Sequence, residues 1–224
     1  MVCVSSAREK FPRLGLKPSL TRLTASSVPA SLKAETTRPV TIPGSAYVLF
    51  FSISVIGCLA DLISKQATFA WLGLPSANST WWLVEGYVGI QTAVNRGALF
   101  GIGQGLTAVF ATLSIGAGIG ILVWLFRYRA ADDRLLVIAL GSVMAGIAGN
   151  LYDRLGFWHT ADTPAEFCYG VRDWILLQWP PDYTWPNFNI ADSMLVCGAG
   201  LLIWHSLTQP PTTSADRVQT ADTN

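Results

Sequence analysis

The chain is short of charge. Only 13% of its 224 residues are Asp, Glu, Lys or Arg, about half the share usual in a soluble domain. Fifteen basic against fourteen acidic residues leave a formal net charge of +1. That balance excludes a nucleic-acid binder driven by bulk charge, and 51% hydrophobic residues exclude a disordered chain. Histidine is nearly missing, with His159 and His205 alone. The four cysteines, Cys3, Cys58, Cys168 and Cys197, form no CxxC or other metal-ligand spacing. Neither a metal site nor a disulfide framework is expected, and Cys58 and Cys197 sit in apolar runs as small hydrophobes. Phosphate-binding glycine loops, HExxH and GxSxG do not occur. A serine/lysine hydrolase is left with Lys65 as its only outward lysine.

What the chain has is apolar length. Four runs stand out, at residues 46–60 (extending to 64), 106–126, 135–152 and 190–208. A membrane-spanning helix needs roughly 17–25 apolar residues. The second and third runs carry no charge and no polar face, which argues against the buried helices of a soluble protein. The expected fold is an all-α membrane protein with four transmembrane helices across residues 46–208. Lys and Arg in the flanks set orientation. Residues 1–45 hold seven basic residues against Glu9 and Glu35, and the turn between the second and third runs holds Arg127, Arg129 and Arg134. Both termini and that turn are therefore expected in the cytoplasm, and the loops at 62–105 and 153–189 outside. The Ser/Thr/Pro-rich arm at 1–45 lacks the apolar centre of a secretory signal peptide. It reads as a basic, disordered cytoplasmic arm, and 209–224 as a polar cytoplasmic tail.

The outer loops are aromatic, with Trp71, Trp81, Trp82 and Tyr87 in the first and Trp158, Trp174, Trp179 and Trp185 among those in the second. An aromatic belt at headgroup level explains most of them. Residues 81–95 also have the β-branched and aromatic content of strands, so a small outer β layer is expected.

Polar residues gather at the outer ends of the spans, where they are costly and point to function. Asp61 and Lys65 stand at i, i+4; Asn150, Asp153 and Arg154 at i, i+3 and i+4; Asn189 and Asp192 at i, i+3. Each set occupies one helix face. Asp173 lies in an apolar run on the same side. Plainer roles exist for each: a snorkelling lysine with its ion partner, a helix cap at Asn189 or Asp192, and an Asp153–Arg154 pair at the headgroups. A small transporter or channel with a buried-acid proton relay is the competing class, and a membrane-anchored binding module a third. The transporter requires polar groups through the bilayer's depth, which the second and third runs lack.

These residues resemble the lipoprotein signal peptidases (signal peptidase II). Asp61-Leu-Ile-Ser-Lys65 resembles the family's DxxxK element, and Asn95-Arg-Gly97-Ala-Leu-Phe100-Gly101 its NxGxxFG block. Gly149-Asn150-Leu-Tyr-Asp153-Arg154 matches GNxxDR, Val171-Arg-Asp173 resembles VxDxx, and Phe188-Asn189-Ile-Ala191-Asp192-Ser193 matches FNxADS. The five elements stand in the family's order over residues 46–208. The resemblance implies a bacterial inner-membrane aspartic protease that removes signal peptides from diacylglyceryl-modified prolipoproteins, without a cofactor or metal. It implies that Asp173 and Asp192 are the catalytic pair. Asn95, Gly97, Asn150, Arg154 and Asn189 then line or support the site, Asp61 and Lys65 shape it, and Asp153 is structural. The partners it implies are the lipid-modified precursors and membrane lipid, not nucleic acid. An insertion at residues 159–169 lengthens the gap before Asp173 and leaves Asp162 and Glu166 as alternatives for the second acid. The apolar surroundings of Asp173 favour it.

Overall fold

The computed structural model describes residues 44–97, 103, 105–128, 130–179 and 183–208. The arm at 1–43, the tail at 209–224, and residues 98–102 with Phe100 and Gly101 of the NxGxxFG block lie outside the described residues. Four helices follow the four apolar runs: α1 (Gly44–Leu72), α2 (Thr107–Leu122), α3 (Arg134–Arg154) and α4 (Ile190–Thr208). A π turn at Val123–Arg127 and a 3-10 turn at Ala130–Asp132 lead from α2 to α3. Each helix, α2 taken with its π turn, is long and apolar enough to cross a membrane.

Helix α1 outruns its apolar segment. Its 29 residues at ~1.5 Å each reach roughly 43 Å, against a hydrocarbon layer of ~30 Å. Asp61 and Lys65, read from sequence as closing the span, instead lie inside the helix. They belong to its buried stripe of Ala46, Phe50, Ser54, Gly57, Asp61, Lys65 and Thr68, whose steps of three and four define one face. Both are fully buried, so Lys65 does not snorkel.

Helix α3 is the central member, with 61% of its apolar window buried against 11–28% for the other three. Small residues let its neighbours close on it. A Cβ at Gly146 would run into the Ala191 carbonyl oxygen and the Leu195 side chain, and one at Gly149 into the Asp61 carboxylate. One at Gly198 would stand 2.8 Å from the Ala139 carbonyl oxygen. The outward faces carry exposed Val48, Phe51, Ile56 and Ile63 on α1, Val109 and Leu113 on α2, and Val196, Ile203 and Leu207 on α4, a surface suited to lipid.

The two ends of the bundle differ. At one end Phe50, Leu125, Leu136, Val137 and Leu140 form an apolar cluster, flanked by the stacked rings of Tyr47 and Phe126, 4.3 Å apart. There Asp133 caps α3 by accepting the N–H groups of Leu135 and Leu136 and holds His205 of α4 at 2.8 Å. The other end carries a four-stranded antiparallel meander, β1 (Thr80–Val84), β2 (Val88–Asn95), β3 (Val171–Trp179) and β4 (Tyr183–Phe188), in that spatial order. The expected strands at 81–95 are present as β1 and β2. Strand β3 occupies the apolar run around Asp173, and β4 contains Pro186, which the outer position of this strand tolerates. Ala93 pairs with Asp173, Val94 with Arg172 and Asn95 with Val171. Strand alternation thus puts Asn95 and Asp173 on one face and Arg172 on the other.

Candidate active site

The polar residues converge at the sheet end of the bundle, and their placement follows from local structure. Asn189 precedes the first turn of α4. Its Oδ1 accepts the Asp192 N–H at 2.9 Å, and Asp192 Oδ2 accepts the Asn189 N–H at 3.2 Å. This reciprocal capping box assigns both residues the capping role that sequence allowed them, and it also aims Asp192 at α3. Asp173 reaches the same point from β3. Asn189 Nδ2 donates to Asp173 Oδ1 at 2.6 Å, while Asn150 Nδ2 donates to Asp192 Oδ1 at 2.8 Å.

Three asparagine amides therefore face the two carboxyl groups, and each has its polarity set by an obligate donor on its own oxygen. The ammonium of Lys65 occupies Asn150 Oδ1 at 3.0 Å, which also accepts from Asn189 Nδ2 at 3.1 Å. The backbone N–H of Asp192 occupies Asn189 Oδ1. The Gly97 N–H occupies Asn95 Oδ1 at 2.9 Å, leaving the Asn95 amide to hydrogen-bond Asp173 across the sheet diagonal. The amide NH₂ groups are thereby turned toward acids rather than away from them.

Beneath this layer runs a buried chain of alternating charge. Lys65 Nζ lies 2.7 Å from Asp61 Oδ2 and 3.2 Å from Asp153 Oδ2. Asp61 also accepts the Ala191 N–H at 2.9 Å, which ties α1 to the start of α4. Asp153 accepts the backbone N–H of Arg172 at 2.9 Å, its Nε at 3.2 Å and a terminal guanidinium nitrogen at 2.9 Å. Its partners are thus Lys65 and Arg172, not the Arg154 beside it. Arg154 turns instead to the Gly97 carbonyl at 3.3 Å and the Phe110 ring at 5.7 Å, within electrostatic reach of Asp192 and Asp173.

The acids open onto a cavity of about 420 Å³ lined by Asn95, Asn150, Arg154, Asp173 and Asp192. Its apolar wall descends between α3 and α4 along Ile147, Leu195, Val196 and Ala199, and Trp185 to Phe188 of β4 close the outer side. Asp173 is 2% exposed. Burial holds its carboxyl well above the ordinary carboxylate range, and the nearby charge of Asp192 pushes the same way. Asp162 and Glu166 do not line this cavity. Asp162 borders a hollow beside Arg172, and Glu166 a cleft with Arg96 and Tyr169.

Asp61, Lys65, Asn95, Gly97, Asn150, Asp153, Arg154, Asp173, Asn189 and Asp192, all singled out from sequence, are brought together here, and the alternatives Asp162 and Glu166 are not. Sequence reasoning missed Arg172, Gln66 and the covering Trp158. The signal for Arg172 was its place beside Asp173 in a strand, where neighbours point to opposite faces.

The family model described as signal peptidase (SPase) II matches residues 53–208. A lipoprotein signal peptidase of Rhodopirellula baltica is 51% identical over 164 residues, covering 73% of this chain and 74% of that one. One from Methylorubrum extorquens is 32% identical over 167 residues, covering 72% and 89%. Two solved structures of a bacterial membrane enzyme share the fold, each with a TM-score of 0.58. They are 24% and 23% identical, and cover 75% and 76% of this chain and 90% and 97% of theirs. A match over most of the chain, holding α1 from residue 53 and every site residue named above, makes this protein a member of the signal peptidase II family.

Proposed function

We propose that the chain is an aspartic peptidase that removes signal peptides from prolipoproteins carrying a diacylglyceryl-modified cysteine, with Asp173 and Asp192 as its catalytic pair. The observation that carries this reading is the bridge through Asn189, which bonds both acids at one cavity although they stand on a strand and a spanning helix. Two neighbouring carboxyl groups that share one proton can hydrolyse an amide without a covalent intermediate. The apparent pKa values then belong to the pair. The ionised member takes a proton from water, and the resulting hydroxide attacks the scissile carbonyl carbon. The protonated member polarises the carbonyl oxygen and passes its proton to the departing amine. Burial of Asp173 favours its protonated form. Arg154 and the Asn150 amide are the donors suited to hold the developing oxyanion, where a single donor contributes about 3–4 kcal/mol. Asn95, Gly97 and Asn189 orient the acids, Asp61 and Lys65 shape the floor, and Asp153 is structural.

The apolar wall below Asp192 supports the lipid requirement. Ala199 lies seven residues, about 10 Å, further along α4, far enough for an acyl chain to remain in hydrocarbon while the peptide meets the acids. Each buried CH₂ contributes ~0.8 kcal/mol. The basic flanks at 1–45 and 127–134 support cytoplasmic termini in the bacterial inner membrane and a periplasmic site. Homologues give no support to a transporter.

The test is cleavage of lipidated and unlipidated precursor by the full chain in detergent. Asp173→Asn and Asp192→Asn are expected to lower turnover of lipidated precursor by about 10²–10⁴-fold each while leaving its binding intact. Equal rates with and without the diacylglyceryl group remove the lipid requirement, and an active Asn variant removes the aspartic mechanism.

A further inference from the structure

Arg172 takes no part in the chemistry above, yet its side chain is 2% exposed and held on every side. Nε and one terminal nitrogen meet Asp153 Oδ1, and the other terminal nitrogen donates to Gln66 Oε1 of α1 at 3.2 Å. The guanidinium lies 5.1 Å from the Trp158 ring and 5.9 Å from the Phe69 ring, and those rings meet edge-on at 6.0 Å. Trp158 is fixed in turn by its Nε1 donating to the Gly170 carbonyl at 3.1 Å. That bond joins the two ends of segment 159–169 and sets the indole as a roof over the arginine.

Two consequences follow for Asp173. First, Arg172 and Asp173 are adjacent in β3 and point to opposite faces, so whatever anchors one aims the other. The anchor is strong: a planar fork on a carboxylate, with the backbone N–H of the same residue on the other carboxylate oxygen. Second, Asp61, Lys65, Asp153 and Arg172 sum to zero charge. Without Arg172 the cluster becomes negative beside Asp173. The other charges facing Asp173 are Asp192 of α4, Lys65 of α1 and Arg154 of α3.

We propose that Arg172 is a positioning residue for Asp173: gripped by Asp153 and roofed by Trp158 and Phe69, it fixes β3 where Asp173 meets Asn189 and keeps the adjoining charge cluster neutral. This rests on the reading of Asp173 as a catalytic acid. Misplacing a reacting group by ~1 Å costs about 10²-fold in rate.

The experiment measures kcat, KM and the acid limb of the pH–rate profile for lipidated precursor, with the full chain in detergent and thermal melting recorded for each variant. Arg172→Met is expected to lower kcat about 10²-fold with KM unchanged, and to move the acid limb to higher pH. Arg172→Lys, which keeps the charge but not the fork, is expected to lower kcat and leave the limb in place. Asp173→Asn is the reference. Turnover at the wild-type rate in Asp173→Asn overturns the reading of the pair. Wild-type kcat and pH limb in Arg172→Met beside an inactive Asp173→Asn overturns the positioning role alone. Should Arg172→Met fail to fold, Trp158→Leu decides: lower kcat at unchanged KM supports the proposal, and wild-type kcat overturns it.

Discussion

Asp153 joins three elements through one carboxylate, since it carries Lys65 of α1 and both the backbone and side chain of Arg172 in β3 while itself belonging to α3. With 0% exposure at both Asp153 and Lys65, the attraction acts where water cannot replace it. Removing one partner of such a group leaves buried charge uncompensated and typically costs about 3–5 kcal/mol. Asp153→Asn is accordingly expected to lower the melting temperature sharply, and a near-wild-type melt in detergent would refute this. Asp173 behaves in the opposite sense. Its carboxyl is raised from the ordinary value of 3.8, so the native state binds that proton more tightly than the unfolded chain. Its contribution to stability is full below the ordinary value and is lost as pH rises through the raised native one. Burial is the larger cause and Asp192 the second. Asp192→Asn should therefore lower the Asp173 titration only part of the way back, as read from its carboxyl infrared band over a pH series.

At the scale of elements, the glycines separate packing from propensity. Gly146 of α3 lies against the Ala191 carbonyl and Leu195 of α4, whereas Gly116 of α2 has open space around its Cβ position. Gly146→Ala is expected to destabilise by about 1–3 kcal/mol through overpacking and to reduce turnover, because α4 carries Asp192. Gly116→Ala should leave both within error or gain up to ~1 kcal/mol. Melting curves and initial rates of the two variants check this. The spans themselves were legible in sequence because about twenty uncharged residues have no other stable home. The end of α1 was not. Asp61 and Lys65 look like a span's polar margin in one dimension, and only the stripe shared with Gly57 and Thr68 places them inside a helix that runs on to Leu72. Strands β3 and β4 were hidden for a related reason. Val171 to Leu177 carries apolar residues on both faces with Arg172 and Asp173 side by side among them, which erases the alternation that marks a strand, and Pro186 argues against one. Arg172 went unnoticed with them, since a strand's two faces have no meaning until the strand is known. Asp61, Lys65, Asn150, Asp153, Arg154, Asn189 and Asp192 were legible because i, i+3 and i, i+4 spacing survives in the sequence wherever a helix does, whereas Asp173 showed only as an acid in an apolar run, and Asn95 and Gly97, in and just after a strand, only through the family resemblance.

For the whole molecule, one end is apolar and the other polar, and the same helices serve both. The Phe50–Leu140 cluster and the Asp133–His205 contact hold one end of the bundle, while the charge chain and the sheet hold the other. The two acids arrive from different layers, Asp173 from the sheet and Asp192 from the first turn of a spanning helix. With these acids as the proposed pair, the enzyme is a depth gauge: it would cut only along the seam where sheet meets bundle, selecting a precursor by how high its bond rides relative to the bilayer and leaving the bulk of the folded cargo beyond that bond unmeasured.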